Sequence, residues 1–288
     1  MRLDTPYGNI EPSRRTIAAS LFFAGYAAAA LSADAEPIVT PSDGLTIEEI
    51  HIRGANNYNL PAYVARPAGQ GRHPAIIVVN EVFGIHDYIK DTCRRFAKLG
   101  YMAVAPEIYA RIADLSKMTD IQQIVRDVIS KKPDDEVYSD LDATLAWAAK
   151  NGGSATAIAE TGFCRGGRNT WLYAAHNPNL KAAVAWYGPV KSGTSPIQPV
   201  AAVDIADKLK CPLLCLYGGQ DTSIKVPDVE EAVAKAAGKT VELKVYPDAP
   251  HGFHADYRPS YREGDAKDGW NRLLAWFKQN GVAPKSGA

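Results

Sequence analysis

The stretch TGFCRGGRNTW, residues 161–171, sets a cysteine between glycines at the point where an apolar run gives way to helical spacing. The run AIAETGF (157–163) reads as a strand, and Arg165–His176 reads as a helix. A strand–turn–helix elbow forces its central residue into strained backbone geometry and needs small neighbours. Gly162, Gly166 and Gly167 supply them, in a Gly-x-Cys-x-Gly arrangement where the usual form carries serine. The helix N-terminus behind Cys164 favours its thiolate, and the charge of Arg165 can add to this. The backbone N–H of Arg165 points to where an oxyanion would form. The same residues also fit a structural cysteine in a tight turn. A phosphate-binding loop fits less well, because the Lys-Ser/Thr ending is missing.

Outward from the elbow, strands alternate with helices. Ile47–Arg53 and Tyr58–Arg66 flank the GANN turn and read as an antiparallel hairpin. HPAIIVVNE (73–81) is a continuous apolar run, suited to a strand buried on both faces. Asp87–Leu99 has helical spacing closed by Gly100, YMAVAPE follows as a strand, and helical patterns run over Thr119–Ser130 and Asp135–Lys150. Beyond the elbow helix come strand KAAVAWYG, a Pro/Gly/Ser-rich loop (188–200), strand PLLCLYG, helix Val226–Ala237, strand VELKVYP and a last helix over Tyr261–Asn280. This pattern predicts one α/β domain over residues 36–288, a mostly parallel, doubly wound sheet with helices on both faces and an N-terminal antiparallel hairpin. Ligands of such sheets sit outside the carboxyl ends of the strands.

Two further residues fall at strand ends. Asp221, in YGGQDTSI, follows strand PLLCLYG, and His251, in PDAPHGFH, follows strand VELKVYP. Taken singly, Asp221 fits an Asx-turn and His251 an ordinary loop residue. Together with Cys164 they give nucleophile, acid and histidine after successive strands, the chain order of the α/β-hydrolase triad. In such a triad a thiolate attacks an ester carbonyl, the imidazole takes the thiol proton and later activates water, and the carboxylate fixes the imidazole tautomer. Glu81 ends the first buried strand, near the same crevice, either as a paired acid at a loop start or as a switch on the thiol's protonation. His86, Tyr109, Trp186 and Tyr187 are candidate pocket residues. His254 and Asp256 near His251 lack a third ligand group and an H-E-x-x-H pattern, so no metal site is expected.

The bulk composition sets limits. Lys+Arg and Asp+Glu both number 32, which gives no basic excess for a nucleic-acid surface. Cys211 and Cys215 lie about 13 Å apart along one strand, too far to bridge, and free thiols are expected. Residues 1–35 read differently. PSRRTIAASLFFAGYAAAALSADAEP has Arg14-Arg15, an apolar run from Ile17 to Leu31 and a small-x-small pattern at Ala33-Asp34-Ala35. This is the layout of an export signal of the twin-arginine type, with an uncleaved anchor as the rival reading. A periplasmic or secreted hydrolase, engaging export machinery and with no stable membrane span in the mature chain, is the expectation.

From about Gly44 to Gly281 the chain resembles the dienelactone hydrolase family (carboxymethylenebutenolidase-like). The likeness rests on NEVFGIHDYIKDTCRRFAKLGYMAVAPEIYAR (80–111), GFCRGG (162–167), AWYG (185–188), GGQD (218–221) and HGFHADYRPSY (251–261). The resemblance implies an α/β-hydrolase fold without metal or cofactor, and a lactone or small activated ester as substrate. It implies that Cys164 forms an acyl-enzyme and that Glu81 holds the resting thiol neutral until substrate displaces it. It gives the N–H groups of Val82 and Arg165 as oxyanion donors. Two departures stand out. The family's elbow usually carries an apolar residue where this chain has Arg165. A family arginine four residues after the histidine is replaced by Ala255, with Arg258 three residues later. Arg165 at the pocket mouth, favouring anionic substrates, follows as an expectation. A broad carboxylesterase and a catalytically silent binding protein are the alternatives, with a thiol peptidase weaker because peptide leaving groups are poor.

Overall fold

Residues 37–284 are described by the computed structural model, so the export signal read over residues 1–35 lies outside the described residues. Among the described residues eight strands form one sheet. They are β1 (Leu45–Arg53), β2 (Asn59–Pro67), β3 (His73–Val79), β4 (Met102–Pro106), β5 (Gly153–Phe163), β6 (Ala182–Trp186), β7 (Leu213–Gly218) and β8 (Val241–Tyr246). Their order is β1-β2-β4-β3-β5-β6-β7-β8. Strands β3 to β8 are mutually parallel, while β1–β2 and β2–β4 pair antiparallel, as the α/β-hydrolase reading expects. The helices are α1 (Asp87–Lys98), α2 (Ile121–Asp127), α3 (Asp134–Lys150), α4 (Arg165–His176), α5 (Ala202–Ile205), α6 (Val226–Lys235) and α7 (Glu263–Gln279).

The apolar run of β3 is continuous because helices cover both faces. Ile77 and Val79 face one core, with Leu141 and Leu145 of α3, Trp171 of α4 and Val229 of α6. Ile76 and Val78 face the other, with Ile89 and Phe96 of α1 and Leu273 and Phe277 of α7. The two-residue period of the strand divides them. Burying each such side chain contributes about 1.5–3 kcal/mol. The helices end near where their composition places them. Asp120 caps α2 by accepting from Gln122 and Gln123 N–H, which starts it two residues later than the periodicity suggests. Between the loop read over 188–200 and β7, α5 is a single turn that the sequence reading did not assign.

The chain leaves β3 through α1 toward β4 on one side, then crosses back to β5 on the other. The winding reverses there, and the carboxyl ends of β3 and β5 open a crevice. Glu81 leaves β3 and Cys164 leaves β5 at that crevice.

One buried acid in the sheet makes a testable prediction. Glu160 of β5 is fully buried; its Oε1 accepts from Thr170 Oγ1 at 2.8 Å, and its Oε2 has no hydrogen-bond partner. Burial pushes its carboxyl up from 4.5 to about 8, although the Thr170 hydrogen bond opposes this. The folded state therefore keeps a proton that the unfolded chain releases, so stability falls as pH rises from about 4.5 to about 8. Glu160→Gln should flatten this slope. Urea midpoints at about pH 5 and about pH 9 measure it, and an equal fall in wild type and variant would refute the assignment.

Candidate active site

Cys164 stands at φ 54, ψ −117, a left-hand backbone that a non-glycine residue adopts only under constraint. The constraint is close packing of its neighbours. A Cβ on Gly162 would lie 2.3 Å from the Gly166 carbonyl oxygen, and one on Gly166 would lie 2.3 Å from that of Val79. A Cβ on Gly167 would lie 2.6 Å from the Trp186 carbonyl oxygen. Helix α4 thus begins hard against the ends of β3, β5 and β6. The Cys164 N–H donates to the Trp186 carbonyl at 3.0 Å. One turn on, the buried Arg168 forms two parallel bonds to Asp134 (2.8 and 3.0 Å) and a third to the Val200 carbonyl (2.9 Å). The nucleophile helix is thereby fixed to the start of α3.

His251 and Asp221 meet Cys164 at the ends of β8 and β7. His251 Nδ1 lies 2.7 Å from Asp221 Oδ2. The other oxygen, Oδ1, accepts from Ser223 N–H (2.8 Å) and Ile224 N–H (3.0 Å), so the Asx-turn and the histidine partner use one oxygen each. Burial would raise the Asp221 carboxyl, but His251 and these N–H groups hold it below its usual value. Burial would lower the imidazole, but charge on Cys164, a hydrogen bond with that side chain and the Asp221 carboxylate push it up to about 10. Tyr187, itself at φ 37, sets its ring edge-on to the imidazole at 5.1 Å. Cys164 and His251 remain partly exposed.

Glu81 is fully buried. Its Oε2 accepts from Tyr257 Oη at 2.6 Å and from Arg258 Nη2 at 3.3 Å, with His86 Nε2 at 3.6 Å. Burial would raise the carboxyl, yet the Arg258 cation, His86 and Tyr257 hold it down to about 2. Glu81 is therefore an ion-paired carboxylate beside the crevice. Arg258 does reach the site. The loop after His251 turns back on itself through Ala255 N–H to Gly252, Arg258 N–H to Ala255 and Tyr261 N–H to Arg258. The guanidinium lies over the Phe83 ring, 5.1 Å from its centre.

The remaining predicted residues divide. Arg165 is half-buried, with its Nε buried and unpartnered, and lies beside Tyr109; burial holds its pKa below the usual range. It is tucked inward rather than held at an open mouth. Asp134, which also acts on Arg165, is already taken by Arg168. Tyr109 is buried against Asn169, and Val82 is buried at the end of the Glu81 loop. Trp186 does not line the crevice, contrary to the sequence reading. It is fully buried and points to the α7 side, its Nε1 donating to Thr161 Oγ1 at 3.1 Å and its ring 4.4 Å from that of His254. Strand alternation turns it there, with Val184, while Ala185 faces the other core. His254 is an aromatic-core histidine that pairs with Tyr88 Oη at 2.6 Å and is held neutral, down to about 3, by burial and Arg95.

The comparisons with known proteins fit this geometry. The model of the Dienelactone hydrolase family matches residues 60–281, nearly all of the described chain. The chain belongs to the dienelactone hydrolase family. A relative from Methylorubrum extorquens, named "Putative carboxymethylenebutenolidase", is 52% identical over 275 residues, covering 94% of each chain. One from Salmonella typhimurium with the same name is 50% identical over 260 residues, covering 89% of this chain and 96% of its own. A crystal structure from Klebsiella pneumoniae, titled as a dienelactone hydrolase of the same provisional kind, superposes with TM-score 0.80 at 49% identity, over 82% of this chain and 100% of that one. This hydrolase thus carries its Cys164, His251 and Asp221 on a fold that it shares with that structure over 82% of its chain.

Sequence reasoning missed Tyr257 and Tyr88. Tyr257 stands next to Arg258, and its phenol caps Glu81. Its only signal was membership of the HGFHADYRPSY stretch. Asp221→Asn removes the charge that, with Cys164, raises His251. The imidazole should then titrate below about 10, read from its ring-proton NMR shift against pH. An unmoved midpoint would show that Asp221 does not govern it.

Proposed function

We propose that this hydrolase cleaves a lactone or small activated carboxylic ester through Cys164 and an acyl-enzyme. One observation carries the reading: the sulfur sits on an elbow at φ 54, near enough to the His251 imidazole to raise it, and the Nδ1 of that ring is 2.7 Å from Asp221 Oδ2. The thiolate sulfur attacks the carbonyl carbon, and the carbonyl electron pair moves to oxygen. The N–H groups of Val82 and Arg165 receive that oxyanion. The contact of Gly166 with the end of β3 supports this pairing, because it sets the start of α4 beside the Glu81–Val82 loop. As the tetrahedral centre collapses, the C–O bond breaks and the leaving oxygen keeps the electron pair. A resonance-stabilised enolate or aryl oxide leaves with little need of a proton. Acylation removes the negative charge on sulfur that raised His251, so the imidazolium gives its proton up to the departing oxygen or to solvent. The neutral imidazole then takes a proton from water, whose oxygen attacks the thioester; the C–S bond breaks, the acid leaves, and the thiolate–imidazolium pair is restored.

Glu81 and Arg258 frame this chemistry as a charge pair beside the sulfur. The family resemblance gives Glu81 a role in setting the thiol's protonation. Its capture by Arg258 and Tyr257 supports a resting state in which the carboxylate is stored rather than engaged. Because Glu81 is held to about 2 and His251 is raised to about 10, activity should persist over a broad neutral range. Activity should fall as pH rises through the His251 value and the imidazolium is lost. The exported location read from residues 1–35 is part of the same proposal. Replacing Arg14 and Arg15 by lysine should keep the protein inside the cell, and export of that variant would defeat the twin-arginine reading.

Arg165 supports an anionic substrate, since its buried Nε has no partner and the neighbouring Asp134 is already paired. Turnover of p-nitrophenyl acetate tests the main reading. Cys164→Ala should abolish it to background, and unchanged turnover would end the enzyme proposal. In the same assay, Arg165→Leu should lower kcat/KM roughly tenfold for an ester bearing a carboxylate and little for a neutral one, the size of a lost charge-assisted hydrogen bond. Equal effects on both would reject the role of Arg165.

A further inference from the structure

We propose that Glu107 is a positioning residue, whose carboxylate clamps the loop 80–86 to the exit of β4 and so fixes where the Val82 N–H points. The inference rests on the hydrolase reading above. Glu107 follows β4 directly and belongs to neither charge pair of the site. Its Oε2 accepts the Ile85 N–H at 2.6 Å, and the nearby Tyr109 N–H also favours the carboxylate. These two donors come from the two segments that flank the crevice. One carries Glu81 and Val82. The other carries Tyr109, which meets Arg165 and Asn169.

The approach is close by design of the sequence. Gly84 stands at φ +74, and a Cβ there would lie 2.5 Å from Glu107 Oε2. The His86 N–H closes the same turn onto the Gly84 carbonyl at 3.1 Å. The stem of Glu107 is partly covered, but Oε1 is fully buried and has no hydrogen-bond partner. Among the described residues no cation pairs with it. Its charge is opposed by burial and by Asp114, so its carboxyl is pushed up to about 7 despite the two N–H donors. A buried acid without a counter-ion is costly, and the hydrogen bond of this one goes to the main chain of the 80–86 loop. An oxyanion donor acts only when it is held to within fractions of an ångström of the developing charge. The Val82 N–H is three residues from the clamped Ile85 on a loop that Gly84 would otherwise leave free to rotate.

Two reactions of the same sulfur separate positioning from general damage. Ester acylation builds negative charge on a carbonyl oxygen and needs the N–H. Alkylation by iodoacetamide forms a carbon–sulfur bond, expels iodide and builds no such charge. Glu107→Ala should lower kcat for p-nitrophenyl acetate by about tenfold or more. KM and the rate of Cys164 alkylation should change by less than about threefold in that variant. Glu107→Gln keeps an oxygen for the Ile85 N–H and should restore kcat to within about threefold of wild type. The proposal is overturned if Glu107→Ala keeps its ester turnover, if turnover and alkylation fall in equal proportion, or if Gln serves no better than Ala. Should Glu107→Ala not fold, Gly84→Ala decides. Its Cβ displaces the carboxylate, so ester turnover should fall while alkylation holds, and unaltered turnover there overturns the clamp. Wild-type turnover that survives Cys164→Ala would sink the hydrolase reading instead, which keeps the two failures distinct.

Discussion

The whole site depends on a steric constraint: carbonyl oxygens of β3 and β6 press so closely on Gly166 and Gly167 that no side chain fits. That contact drives the backbone at Cys164 into φ 54, a conformation that costs about 1–3 kcal/mol and persists only where its surroundings enforce it. The enforcement comes from α4. Trp171, Leu172 and Tyr173 are buried against the sheet, and Arg168 locks the helix to Asp134. Their burial offsets the strain. Remove the helix packing and the sulfur would relax back into the strand direction, away from the imidazole.

Two charge systems share the crevice, His251 with Asp221 and Glu81 with Arg258. His251 is raised because negative groups lie on two sides of it, and Glu81 is lowered because Arg258, His86 and Tyr257 surround it. In a medium of low dielectric an unbalanced charge would be driven to its neutral form. Here the balance keeps both groups charged across the neutral range. The sulfur lies between them, and Arg258 also acts on Cys164 directly.

Much of this was legible in the chain. The apolar run of β3, the alternation of strands and helices, and three polar residues after successive strands led to the sheet and to the residues brought together at its carboxyl end. What stayed hidden was set by register and by loop folding. Trp186 borders Tyr187, which touches His251, yet Trp186 is the last residue of β6 and the backbone turns at Tyr187, at φ 37. Arg258 lies three residues beyond the family's position. Only the turn begun by Gly252 at φ +75 brings it back over Glu81. Glu107 read as the last residue of a strand, because nothing in spacing reveals that its oxygen will meet a main-chain N–H twenty-two residues earlier. Such contacts are properties of the closed structure.

The glycine packing around the elbow also limits how such a protein can diversify. Positions 162, 166 and 167 admit no larger residue, and Phe163 is committed to the core. Position 165 is the one neighbour of the sulfur, along the chain, whose side chain can change without moving the backbone. A change of substrate beside Cys164 therefore has a single dial to turn there, and in this chain it stands at arginine.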